Sequence, residues 1–177
     1  MVKCGKMWDK FVSLQKIYWG EMLNLIGTFD CKVDSKGRVL IPSSLKKQLT
    51  DHSKDGFIIK RSVFNRCLDL YPYSEWNNMV SQVDKLNRFV KKNNDFIRSY
   101  MSGIREINMD SAGRILIPKD VVVYATIEKE IVIASSVNMI EIWRKSEYEK
   151  VVDETLKNFG ELAENVMGNQ THDDDLS

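Results

Sequence analysis

A nine-residue phrase occurs twice in this chain, 76 positions apart. Asp34-Ser35-Lys36-Gly37-Arg38-Val39-Leu40-Ile41-Pro42 returns as Asp110-Ser111-Ala112-Gly113-Arg114-Ile115-Leu116-Ile117-Pro118, with seven of nine positions identical. Such a repeat marks a duplicated structural unit, and its conserved part is a turn carrying an arginine. The duplication runs on. Phe57-Ile58-Ile59, Cys67-Leu68-Asp69-Leu70-Tyr71 and Ser74-Glu75-Trp76 are answered by Ile131-Val132-Ile133, Ile140-Glu141-Ile142-Trp143 and Ser146-Glu147-Tyr148, while the offset drifts from 76 to 72. Each unit reads as strand, turn, strand, short helix, two more strands and a closing helix. Two such units are too few for a solenoid, which points to two copies about a pseudo-twofold axis sharing one core. The expected class is mainly β with peripheral helices (α+β).

Residues 1–21 have no counterpart in the second unit. Met7, Trp8, Phe11, Val12, Leu14, Ile17, Tyr18 and Trp19 could form an extra amphipathic helix; alternatively, translation starts at Met22 and the segment lies upstream of the true start. Residues 22–73 form the first unit, 74–103 linking helices, 104–150 the second unit, and 151–177 a C-terminal helix and acidic tail. In the linking segment Trp76, Met79, Val80, Val83 and Leu86, then Phe89, Phe96, Ile97, Tyr100 and Met101, recur at helical spacing, with Ser74 and Glu75 as a helix start. From Gly160 the chain has five acids and no Lys or Arg, and reads as disordered.

Function classes can be removed by composition. A net charge of +1 argues against a uniformly basic coat for nucleic acid, but leaves room for a local basic face. No apolar run approaches the roughly 18 residues of a bilayer span, and no membrane or secretory role is expected. Cys4, Cys31 and Cys67 have no metal or redox spacing, and His52 and His172 sit in polar surroundings. The cysteines read as reduced thiols in a cytoplasm, and neither a metal site nor a cofactor is expected. Two pseudo-symmetric aspartates invite comparison with an aspartic-protease dyad. Here, however, Lys36 or Ala112 intervenes before the glycine, and an arginine beside each acid would hold it ionised, whereas a dyad shares a proton. No nucleophile elbow, Walker loop or zinc-protease motif occurs, so neither a catalytic residue nor a small-molecule substrate is expected.

The repeated turn has its own chemistry. Asp34 and Ser35 are turn formers whose side chains bond nearby amides, and Gly37 supplies positive φ. Asp110 and Gly113 repeat the scaffold. Arg38 and Arg114 follow where a strand restarts, with Val39-Leu40-Ile41 as a buried strand and Pro42 as its end. A rigidly mounted arginine can read guanine or grip phosphate; equally, it can pair with the aspartate of its own turn. The copies differ in charge: residues 30–48 carry Lys32, Lys36, Arg38, Lys46 and Lys47 against Asp30 and Asp34, whereas residues 106–124 carry Arg114 and Lys119 against Glu106, Asp110 and Asp120. If one copy faces a polyanion, it is the first; the second suits scaffolding or subunit contact.

With these motifs the chain resembles the MraZ family of the AbrB/SpoVT-like bacterial DNA-binding proteins, over about residues 22–150. The marks are Gly27-Thr28-Phe29, both Asp-x-x-Gly-Arg turns followed by Leu-Ile-Pro, Leu70-Tyr71-Pro72 with Glu75-Trp76, Ser102-Gly103, and Glu141-Ile142-Trp143. The first 21 residues, the acidic tail and Ile104-Arg105 depart from the pattern. The resemblance implies two tandem AbrB/SpoVT-like halves forming one pseudo-twofold barrel, assembled as a ring-shaped homo-oligomer. It implies a nucleoid-associated transcriptional regulator, usually a repressor, of the division and cell-wall gene cluster and of its own gene. Double-stranded DNA carrying short G-rich direct repeats would be the partner. The DNA-reading residues would be Lys36 and Arg38, with Lys32 beside them and Arg114 the weaker counterpart. The alternative is an antitoxin-type protein-binding module using the same barrel.

Overall fold

The computed structural model describes residues 23–50, 52 and 55–168. The expectations for residues 1–21, for Met22 and for the tail beyond Gly168 lie outside the described residues. The first unit comprises β1 (Thr28–Lys32), β2 (Arg38–Leu40), α1 (Ser43–Gln48), β3 (Phe57–Arg61), β4 (Leu68–Pro72) and α2 (Tyr73–Asp84). After α3 (Lys91–Tyr100) the second unit repeats the order as β5 (Arg105–Ile107), β6 (Arg114–Leu116), α4 (Lys119–Tyr124), β7 (Glu130–Ser136), β8 (Met139–Arg144) and α5 (Lys145–Leu156). A last helix, α6, spans Phe159–Met167, so Gly160 stands inside a helix where a disordered tail was expected. Among the described residues, no helix is long and apolar enough to cross a membrane.

The strands make a six-stranded antiparallel sheet, β1-β7-β8-β4-β3-β5, and a two-stranded ribbon, β2-β6. Exchanging the units reverses the order of the large sheet and leaves it unchanged, which is the signature of a pseudo-twofold axis. In the sheet the axis passes between Asp69 and Glu141, and in the ribbon between Val39 and Ile115. The units also trade edge strands: β1 of the first pairs with β7 of the second, and β5 of the second pairs with β3 of the first. Ribbon and sheet meet at two single bridges, Val33 to Val39 and Met109 to Ile115. The β layer is therefore two sheets joined at isolated bridges.

One core fills the space between them. Val39, Ile41, Leu45, Leu49, Phe57, Ile59, Leu68 and Leu70 of the first unit pack with Ile107, Ile115, Ile117, Val121, Ile131, Ile133, Ile140 and Ile142 of the second. Each such side chain contributes about 1.5–3 kcal/mol on burial. Leu40 departs from the expected buried strand. Val39 and Ile41 are buried but Leu40 is 59% exposed, because successive strand side chains point to opposite faces.

The linking segment also differs from its expected apolar stripe. α2 starts at Tyr73 behind Pro72, ahead of Ser74, with no side-chain cap. Trp76 and Val80 pack on Ile58 and Tyr71, and Tyr100 stacks on Trp76. The helix stops after Asp84, and the break before α3 takes Phe89 out of phase and leaves it fully exposed. No residue of α3 is buried.

Candidate nucleic-acid interface

Each Asp-x-x-Gly-Arg segment folds as a tight hairpin turn. The Gly37 N–H donates to Asp34 O at 3.0 Å, and the Asp34 N–H donates to Arg38 O at 2.9 Å. Gly37 has φ +81° and Gly113 has φ +82°, a region where a side chain would be strained. The aspartate carboxylate ties the loop from inside. Asp34 Oδ1 accepts the Lys36 N–H at 2.8 Å and the Arg38 N–H at 2.9 Å, while Oδ2 accepts Arg38 Nε at 2.7 Å. Asp110 repeats the set with Ala112, the Arg114 N–H and Arg114 Nε, at 2.9, 2.9 and 2.8 Å. The Arg38 bonds hold Asp34 at about 2, well below its usual 3.8, and Arg114 lowers Asp110 in the same way. Two carboxylates held ionised cannot share a proton, which removes dyad chemistry at this pair.

The two turns belong to one surface. β2 and β6 run antiparallel, with Arg38 opposite Leu116 and Leu40 opposite Arg114. Val39 and Ile115 point into the core, so Arg38, Leu40, Arg114 and Leu116 share the outward face. The two arginine Cα atoms lie diagonally, roughly 8 Å apart by strand geometry. Each turn is braced by the end of the other unit's strand: the Ile41 N–H donates to Gly113 O and the Ile117 N–H to Gly37 O, both at 3.0 Å.

Both arginines therefore pair with their own aspartates, and this does not remove them from recognition. Asp34 Oδ2 lies 2.7 Å from both Nε and Nη2 of Arg38, and Asp110 Oδ2 lies 2.8 Å from Arg114 Nε. Both arginine side chains remain about one-third exposed. A braced guanidinium loses less freedom on binding than a loose one. Lys32 is exposed at the end of β1, opposite Glu130, and Lys36 is exposed at the tip of the first turn. Among the described residues, neither has a carboxylate at ion-pair distance.

Three features were missed from sequence. Leu40 and Leu116, at 59% and 55% exposure, place two apolar side chains between the arginines. Period-two alternation from the buried Val39 and Ile115 was the signal. Lys46, counted with the first copy, lies over the second turn, where a Cβ on Gly113 would come 3.0 Å from its Nζ. The first turn instead lines a cleft with Val122, Glu128 and Lys129. The contrast between a basic first copy and an acidic second one is thus reduced in space, because each turn sits against the other unit's helix.

A family model described as "MraZ protein, putative antitoxin-like" matches residues 25–99 and 101–169. A protein of Flavobacterium psychrophilum called transcriptional regulator MraZ is 54% identical over 153 residues, covering 86% of this chain and 98% of that protein. Its namesake in Christiangramia forsetii is 54% identical over 152 residues, with the same coverage of each chain. That of Pediococcus pentosaceus is 35% identical over 142 residues, covering 80% of this chain and 96% of its own.

Proposed function

This chain belongs to the MraZ family, and from that premise we propose that it is a transcriptional regulator that reads DNA with the β2–β6 ribbon. The observation that carries this reading is the convergence of both repeated turns on one exposed face, with Arg38 and Arg114 braced by Asp34 and Asp110. A two-stranded ribbon fits the major groove, where an arginine end edge matches guanine O6 and N7. At a separation of roughly 8 Å, the arginines span two to three base pairs of about 3.4 Å each. Lys32, Lys36 and Lys46 supply phosphate-binding charge at the rim, and Leu40 and Leu116 suit thymine methyl groups.

On this reading the protein works in the cytoplasm on the nucleoid, as a ring of identical chains on short G-rich direct repeats. It represses the division and cell-wall gene cluster that includes its own gene. One ribbon contacting a few bases gives weak affinity, and several ribbons held at fixed spacing raise it by about 10²–10⁴ through effective concentration. The test is a footprint on the DNA upstream of its own gene, with wild type and Arg38→Ala side by side. Protection of short G-rich repeats by wild type alone is the expected result; equal protection by both sinks the assignment.

The exposed leucines favour one competing use, an apolar partner protein of the antitoxin type docking on the same ribbon. Leu40→Ser with Leu116→Ser separates the two. DNA binding that is weakened only in part by this change, with its salt dependence intact, keeps the nucleic acid as partner; loss of a protein partner with DNA binding unchanged favours the antitoxin type.

A further inference from the structure

A pocket of about 370 Å³ opens between the end of β3, α3 and the end of α4, within the range that holds small ligands. Its floor is basic. Arg61 lies over the Tyr124 ring at 5.0 Å, and the Tyr124 hydroxyl donates to Ser62 O at 3.2 Å, which fixes the ring. Arg61 Nε is buried and has no hydrogen-bond partner among the described residues. Every other described arginine except the exposed Arg66 is ion-paired with a carboxylate. Lys60 beside it is buried, bonded to Arg61 O at 2.8 Å and paired with Asp69 at 3.3 Å, so the uncompensated positive charge belongs to Arg61. Gly103, at φ +75°, brings its backbone against the guanidinium: a Cβ there would meet Arg61 Nε at 3.2 Å.

The scaffold does not require these charges. Across the pseudo-twofold axis Lys60 and Arg61 correspond to Ala134 and Ser135, which hold the equivalent strand with no charge at all. Arg61 is half-buried, and leaving its buried Nε without a partner is costly unless an anion completes the site. Ser99 and Ser102 add hydroxyl donors to the lining, and Phe96, stacked on Tyr100, adds an apolar wall.

We propose that this pocket binds a small organic phosphate, with the phosphoryl oxygens on Arg61, Ser99 and Ser102 and a planar ring against Phe96. The site is separate from the DNA-reading ribbon and does not rest on it. The test is calorimetry of the full chain with inorganic phosphate, phenyl phosphate and benzoate. Phenyl phosphate should bind saturably and about tenfold tighter than inorganic phosphate, since the ring adds buried apolar area. Arg61→Gln, and separately Ser99→Phe, which fills the pocket from an exposed helix position, should each weaken phenyl phosphate about tenfold or more. Equal binding of phenyl phosphate and inorganic phosphate removes the ring subsite, and benzoate as tight as phenyl phosphate makes the ligand class a carboxylate; either overturns the proposal. So does undiminished affinity in Ser99→Phe, which decides the matter alone if circular dichroism shows Arg61→Gln misfolded.

Discussion

Asp34 does two jobs with one carboxylate: it closes the turn through the amides of Lys36 and Arg38, and it aims the Arg38 side chain. Its folded pKa is depressed from 3.8 to about 2, so its contribution to stability is fully present above pH 4 and is lost as the pH falls through about 2. Asp34→Asn removes that pH dependence while keeping an oxygen for the amides. Urea midpoints of the two proteins should therefore differ at pH 6 and converge between pH 4 and 2; curves that stay parallel throughout would show that the carboxylate charge does not stabilise the fold. Arg38→Ala carries a second effect, because it leaves Asp34 as an unpaired anion on the proposed DNA face. The double change Asp34→Asn/Arg38→Ala should thus recover part of the non-specific affinity lost in Arg38→Ala, with no return of sequence selectivity in a competition gel-shift. Turn chemistry made Asp34, Gly37 and their copies legible from sequence. It left open whether each arginine serves its own aspartate or DNA; the geometry shows the pairing with the aspartate, and leaves about one-third of each arginine side chain exposed. Lys46 was out of reach of sequence, because only the folded chain brings it over Gly113.

The ribbon is the smallest element that unites the two copies, and its two faces should respond differently to truncation. Ile115 is wholly buried on the pseudo-twofold axis, and Ile115→Ala should cost about 2–5 kcal/mol. Its neighbour Leu116 is exposed, and Leu116→Ala should stay within about 0.5 kcal/mol of wild type while weakening DNA binding. Urea denaturation and fluorescence anisotropy on the same preparations check both halves of this expectation. The element order within the two units was legible, since each repeat constrained the other; the last helix, α6, was not. Pairing partners were not, because nothing local tells β1 to choose β7 over β3. The linking helices were half legible: Trp76 and Val80 lie where the stripe put them, but the break after Asp84 has no strong punctuation, and it took Phe89 off the core.

At the scale of the molecule, the traded edge strands make the two units mutually dependent. A fragment of residues 22–103 alone lacks the ladder partners of β1 and β2 and one of the two partners of β4, and should show no cooperative unfolding transition. Mixing it with residues 104–168 should restore one, and a cooperative melt of either piece alone would refute the shared core. Assembly on DNA is tested at the same scale, with probes carrying one repeat, three in phase, and three with the middle one displaced by about 5 base pairs, half a helical turn. The in-phase probe should bind best and the displaced one should lose most of that gain; equal affinity for one and three repeats would point to a self-sufficient single reader. The axis between Val39 and Ile115 has one more consequence. An exact twofold would present the same contacts after the molecule is turned end for end, and its preferred site would be a palindrome. Lys36 faces Ala112 across this axis, so the fused chain has a head and a tail. If the ribbon reads DNA as proposed, such a chain prefers one direction on its site, and neighbours that all point the same way call for sites written in tandem.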